Sequence, residues 1–296
     1  MPSLKEVRVR IESVRSTQQI TSAMKLVAAS KLRKAQQAIL KLRPYAAKLT
    51  HIIQDISGSV DLDSEDAIYT RERETNNVLL VLISSNRGLC GAFNSNVIKK
   101  ANHVIEEKFA RQLQEGNLHL YCIGKKVYEH FKRRGYQIDN HNIEIFDDMT
   151  FDNVVPMAEK LIKDFADGKY DRIEIIYNQF RNAAVQVIQD EPFLPIQMEE
   201  GTSEDQAPEG VEYIFEPEKE EIIKELLPKS LKVQLFKAIL DSFASEHGAR
   251  MTSMHKATEN AQELLKDLRL SYNKARQAAI TNELIEIVSG ANALNE

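Results

Sequence analysis

The sequence predicts an α/β protein: a long antiparallel coiled coil of the N- and C-terminal helices plus a central Rossmann-like α/β domain. Heptad-spaced apolar residues at both chain ends predict the coil, and short β-branched runs alternating with helical stretches predict the domain. These pattern changes place boundaries at 1–57 for the first coil helix and 76–198 for the α/β domain. An acidic loop and short strand follow at 199–216, then the second coil helix at 217–296.

The first helix is read from Leu4, Val7, Ile11, Val14, Gln18, Thr21, Lys25, Ala28, Leu32, Ala35, Ile39, Leu42, Ala46, Leu49, Ile53 and Ile56, a seam with one polar interruption. The segment is rich in Ala, Lys, Gln and Leu and carries neither Gly nor Pro before Pro44, so one helix of roughly 80 Å is expected. Pro44 is where it is expected to kink.

In the middle, Val78 to Ile83, Leu118 to Ile123, Arg172 to Tyr177 and Ala184 to Ile188 read as strands. They alternate with helical stretches near Asn94 to Gln114, Lys125 to Arg134 and Asp152 to Ala166, which predicts a mostly parallel sheet flanked by helices. Glu199 to Gly210 is acidic, contains Gly and Pro, lacks a hydrophobic period and reads as a loop.

The last helix is expected after Pro228, ending near Ser289 and Gly290. Its seam reads Phe236, Leu240, Phe243, Met254, Ala257, Ala261, Leu264, Leu268, Tyr272, Ala275 and Ala279, with Gly248 as the one breaker. Pairing the two terminal helices antiparallel buries both seams, and the alanines permit close approach.

Composition narrows the function classes. Of 296 residues, 43% are hydrophobic, enough for a core, and the charges nearly cancel at a net −5, which excludes a global basic field for nucleic acid. Cys90 and Cys122 are too few for a disulfide framework. The start, MPSLKEVRVRIESVR, has no signal-peptide apolar stretch, and the longest apolar run, Val78 to Ile83, is too short to span a bilayer. No direct lipid insertion is expected.

A search for chemistry finds little. Asn86-Arg87-Gly88-Leu89-Cys90-Gly91 follows the first strand with two glycines, but it lacks GxGxxG and the Lys-Ser/Thr ending of a P-loop. It reads as a structural turn, from which Arg87 can meet a partner's carboxylate. The seven histidines form no HExxH pair, and Ser84 and Ser85 lack a GxSxG elbow. No catalytic residue, cofactor or metal is expected. Lys25, Lys31, Arg33 and Lys34 cluster near the polar part of the first seam. A solvated face accounts for Lys34. Lys25, on the seam beside Gln18 and Thr21, either sets register or marks where the pair enters a partner.

The C-terminal ITNELIEIVSGANAL, Ile280 to Leu294, carries Ile-Thr, Glu283, Glu286 and Gly290-Ala291. Before it stand LSYNKARQAAIT and ARMTSMHKATENA, at the N-terminus RIESVRSTQQITSAMKLVAASKLRKAQ, and in the centre SSNRGLCGAFN and YNQF. In these motifs the chain resembles the gamma subunits of rotary F-type ATP synthases over nearly its whole length. It departs from many relatives at Asn86, where they carry Asp, and no motif aligns at Asp61 to Arg73 or in the acidic loop.

The resemblance implies a non-catalytic shaft that transmits torque in a proton-translocating complex. Its partners would be the alpha and beta subunits, an epsilon-type subunit and the membrane c-ring. Arg276 and Gln277, then Met24 and Lys25, are the implied rotor-to-stator contacts, because Arg offers forked bonds to carboxylates. Ile280, Glu283, Glu286, Gly290 and Ala291 would form the shaft tip, and Arg87, Gly88 and Gly91 belong to the foot domain. With no transit-peptide pattern, the implied location is the cytoplasmic face of a bacterial inner membrane, peripheral through the complex. Two other readings are a coiled-coil tether, which predicts a homodimer, and a small-molecule enzyme, which predicts saturable binding to the isolated chain.

Overall fold

The computed structural model describes residues 3–57, 69, 73–196 and 219–293. The expected acidic loop at 199–216 lies outside them, as does most of Asp61 to Arg73. The described residues of 1–29 and 250–296 form one compact unit and those of 30–249 a second.

Helix α1 is Leu4–Ser57 and helix α6 is Lys219–Ala293, of 54 and 75 residues. A capping box starts α1: Ser3 Oγ accepts from the Glu6 amide, and Glu6 Oε2 accepts from the Ser3 amide. Pro44 lies inside α1 and Pro228 inside α6, so α6 begins before Pro228 rather than after it. Each proline removes one helical N–H donor, and packing outweighs that loss: Leu49, Leu227 and Val233 form a buried cluster beside Leu42 and Ala46. At its other end α6 continues through Ser289 and Gly290 to Ala293, because one glycine disfavours a helix by only about 1 kcal/mol.

In the larger unit, β1 is Val78–Ile83, β2 Leu118–Ile123, β3 Ile138–Asn142, β4 Arg172–Phe180 and β5 Gln186–Leu194. The sheet order is β3-β2-β1-β4-β5, parallel except for the antiparallel β4–β5 pair. The expected mostly parallel sheet is therefore present. β3 was not read from the sequence, since its IDNHN is only partly buried and carries one strong apolar residue. β5 lies further along the chain than the Ala184 to Ile188 run, and the turn at Asn182–Val185 takes the first of those residues.

β1 shows why the sheet is buried on both faces. Its six-residue VLLVLI run sends Leu79, Val81 and Ile83 into one core and Val78, Leu80 and Leu82 into the other. The first core is closed by α5, Phe151–Ala166, and by Leu231, Leu235, Ala238 and Ile239 of α6. The second is closed by α2, Phe93–Lys108, and by α4, Lys125–Arg133. The single helix expected over Asn94 to Gln114 is two, because Phe109 leaves helical geometry between α2 and α3, Ala110–Glu115.

From Ala238 to Ala249, α6 is buried on nearly every side, Phe243 alone being half exposed. Small residues make this possible. A Cβ on Gly248 would stand 3.2 Å from the Ala183 Cα, so the helix touches the chain after β4. Ser245 Oγ donates to the Asn178 carbonyl, and Phe243 stacks on Phe146 and meets the His247 ring edge. Over this stretch the expected a/d seam is replaced by all-round packing.

Gly124, after β2, has φ +101°, and a Cβ there would lie 2.2 Å from the Ser84 carbonyl oxygen. Gly124→Ala is expected to destabilise the larger unit by about 3 kcal/mol, read as a shift in the urea midpoint; an unchanged midpoint contradicts this packing.

Candidate functional site

In the smaller unit, α1 and α6 run antiparallel, with Thr21 facing Thr258 and Lys25 facing His255. The two hydroxyls are 2.8 Å apart, with Thr21 3.0 Å from the Gln18 carbonyl and Thr258 2.8 Å from the Met254 carbonyl. Lys25 Nζ lies 3.2 Å from His255 Nδ1. An ammonium only donates, so Nδ1 accepts and the ring proton sits on Nε2, 3.5 Å from Glu259 Oε1. The polar interruption is thus a set of polar contacts across the helix pair.

The seam matches expectation along α1: Val7 and Ala28 are buried, and Leu4, Ile11, Val14, Gln18 and Lys25 half-buried. Along α6 it departs at two positions. Leu265 and Ala278 face inward, whereas Leu264 and Ala279 are exposed. The cause is the register: pairing Thr21 with Thr258 sets Leu4 opposite Ala275, so the described part of α1 ends there. Residues 279–290 of α6 are accordingly all exposed.

Each implied contact residue has a definite place. Met24 and Lys25 are half-buried near these contacts, while Arg276 and Gln277 are exposed where α6 outruns α1. Arg276 is 21 residues beyond His255, roughly 30 Å along the helix, so the structure does not bring the four into one site. Thr281 Oγ1 donates to the Gln277 carbonyl at 2.9 Å. Ile280, Glu283, Glu286 and Gly290 are exposed, with nothing within 4 Å of a Cβ on Gly290; Ala291 is in the helix, its side chain outside the described set.

A second apolar stripe runs along the outside. On α1 it holds Val9, Ile20 and Val27, each about 60% exposed, on the side away from the seam. On α6, Ile280, Leu284, Ile287 and Val288 continue uncovered at 50 to 63% exposure. Helical spacing makes the α6 set contiguous, whereas Val9, Ile20 and Val27 share one side of α1 at wider intervals; contiguous exposed apolar surface marks an interaction face.

In the larger unit, Arg87, Gly88 and Gly91 are exposed in the β1–α2 loop, at the carboxyl edge of the sheet where open α/β folds bind ligands. The loop is tied by its own polar groups. Ser85 Oγ lies 2.6 Å from the Arg87 carbonyl, Asn94 Nδ2 donates to Ser85 Oγ, and Asn86 bridges the Ile143 carbonyl and the Lys125 amide. Leu89, at φ +62°, and Gly91, at φ +60°, complete a tight turn. Cys90 packs with Phe93 and Ala249, and burial pushes the Cys122 thiol up to about 12, leaving it protonated.

Buried acids were missed in the sequence, Glu174 and Asp241 among them. Glu174 on β4 is 1% exposed, 2.7 Å from Arg172 Nε and 3.5 Å from Lys108 Nζ. Burial, reinforced by Asp190, pushes its carboxyl up. Burial also opposes charge on Asp190, but hydrogen bonds from Lys108 and Glu174 outweigh it and hold that carboxyl below the usual range. Asp241 lies on α6. The available signal was an acid alone among apolar neighbours, in RIEII and AILDSFA.

Among the described residues no helix is long and apolar enough to cross a membrane, and no cluster of three or more His, Cys, Asp or Glu could hold a metal. A family model described as ATP synthase matches residues 3–294. The ATP synthase gamma chain of Christiangramia forsetii is 56% identical over the whole of both chains. That of Chlorobaculum tepidum is 44% identical, also over the whole of both. The chain belongs to the ATP synthase gamma-chain family. A rotor chain of the Euglena gracilis mitochondrial ATP synthase shares the fold, with a TM-score of 0.65 at 20% identity over 94% of this chain and 98% of that one. A chain of the Tetrahymena thermophila central stalk and c-ring structure gives 0.57 at 23%, over 80% and 99%.

The Thr21–Thr258 contact yields a double-mutant test. Thr258→Val alone strands the Thr21 hydroxyl on a half-dry seam and is expected to destabilise the coil by about 1 kcal/mol, whereas Thr21→Val with Thr258→Val should come back near wild type. Thermal melts of the four proteins measure the coupling, and strict additivity contradicts the contact.

Proposed function

We propose that this gamma-chain family member is the central-stalk rotor subunit of a proton-translocating F-type ATP synthase, carrying torque between the membrane rotor ring and the catalytic beta subunits. It would also be needed for assembly of the complex and for regulation of its ATPase activity, with no active site of its own. The observation that carries the reading is the outer apolar stripe on the helix pair and on the lone α6 end, Ile280 to Val288, a face built to be enclosed by other subunits. Family membership supplies the identity of those subunits.

In this reading the alpha and beta subunits surround the helix pair, with Ile280, Glu283, Glu286, Gly290 and Ala291 at the tip. Arg276, Gln277, Met24 and Lys25 meet the stator at two levels of the shaft, as their separation requires. The α/β domain, with Arg87, Gly88 and Gly91, is the foot on the c-ring and the epsilon-type subunit. The pair presents unlike faces, so each rotary position offers each beta subunit a different contact and shifts its conformational equilibrium. The complex would lie at the cytoplasmic face of a bacterial inner membrane, held there by other subunits.

The test is ATPase activity of recombinant alpha and beta subunits with and without the chain. Activity and assembly should depend on the chain, and Arg276→Ala should lower turnover on the order of two- to tenfold, as loss of about 0.5–1.5 kcal/mol from one solvent-screened hydrogen bond implies. Failure of the chain to associate with alpha and beta would sink the proposal.

A further inference from the structure

Asp241 is 1% exposed, and neither of its carboxylate oxygens has a hydrogen-bond partner. The neighbouring Ser242 hydroxyl is buried without one too. Buried carboxylates are normally tied by two or more donors, so this pair of oxygens is anomalous. The groups facing it come from every element packed there. From α1, Arg43 Nη2 stands 3.8 Å from Asp241 Oδ1 and donates instead to the Phe180 carbonyl at 3.3 Å. From β4 and β5, the Tyr177 hydroxyl donates to Glu191 Oε1 at 2.7 Å, and the Glu191 charge acts against that of Asp241. From α6 itself, Lys237 favours the charge. The Phe180 amide lends the charged form weak support without reaching hydrogen-bond geometry.

We propose that Asp241 is a proton-responsive strut: neutral, it lets α6 pack closely under β4 and beside Arg43, and its ionisation loosens that packing. The geometry gives the reason. A neutral carboxyl carries one donor and tolerates a dry site, whereas a carboxylate there has one cation beyond good hydrogen-bond distance and an acid nearby. Arg43 is half exposed, so it can swing toward the carboxylate or toward water. The device lies in the packing of α6 itself and goes beyond the rotary role.

Burial, only partly offset by Arg43 and Lys237, raises the Asp241 carboxyl from 3.8 to about 6. The folded chain therefore holds this proton more tightly than the unfolded chain. The stabilisation is full below the unfolded value and is lost as pH rises through about 6.

Three readouts on the full chain test the strut. Carbon-13 NMR of aspartate-labelled protein, with the Asp241 signal assigned by its loss in Asp241→Asn or Asp241→Glu, should show a midpoint near 6 that rises in Arg43→Gln. The melting temperature of Asp241→Asn relative to wild type should climb between pH 4.5 and 7.5, on the order of 5 °C. Hydrogen exchange at residues 238–245, corrected for intrinsic rates, should quicken above pH 6 in wild type but not in Asp241→Asn. A midpoint in the ordinary carboxylate range overturns the proposal even if the Asn variant does not fold, as does a melting gap or an exchange pattern that ignores pH.

Discussion

The structure depends on one constraint: α6 must be buried on all sides over one stretch and on a single side over the next, without breaking its backbone hydrogen bonds. Between Ala238 and Ala249 it does the first with Ala238, Ser242, Ala244, Ser245, Gly248 and Ala249, residues small enough for the chain after β4 to reach the helix at Gly248. Glycine and serine are poor helix interiors, so packing has to supply what propensity withholds. In the larger unit Ala238 and Ile239 of the stretch join the same buried core as β1, β4 and α5.

The paired segment meets the opposite demand. Its seam is rich in alanine and interrupted by Gln18, Thr21 and Lys25, which gives less apolar burial than a leucine seam. Small seam residues slide easily, and the Thr21–Thr258 and Lys25–His255 contacts remove that freedom by making any other register strand polar groups. Apolar weight is carried outward instead, at Val9, Ile20, Val27 and the uncovered end of α6.

The sequence made the sheet legible wherever its strands were buried on both faces, because continuous β-branched runs have few other readings: β1 and β2 match their runs residue for residue. β3 was hidden because a half-buried edge needs few apolar residues, and IDNHN resembles a loop. The seam of α1 was legible from Leu4 to Leu49, every expected position there being buried or half-buried; Ile53 and Ile56 have side chains outside the described set. The seam of α6 was not, for two separate reasons. Around Ala238 to Ala249 every face is covered and no period exists to be read, and near Ala279 the pattern was carried past the point where α1 ends. Ile280, Glu283, Glu286 and Gly290, exposed on α6, were singled out by resemblance alone, since periodicity cannot tell a core stripe from one awaiting a partner.

Asp241 is where these levels conflict, and the conflict can be weighed. A buried, unpaired carboxylate works against folding, and an apolar residue of similar size at such a position is usually neutral or better. Arg43 does not repay the burial, because at 3.8 Å, half in water and engaged with the Phe180 carbonyl, it gives the attraction of a surface ion pair. Glu174 is a useful contrast: equally buried and also pushed up by burial, it has one oxygen held by Arg172 at 2.7 Å and Lys108 3.5 Å from the other. Stability explains Glu174 and does not explain Asp241. What distinguishes Asp241 is that one proton changes how comfortably a stretch of α6 buried on nearly every side sits.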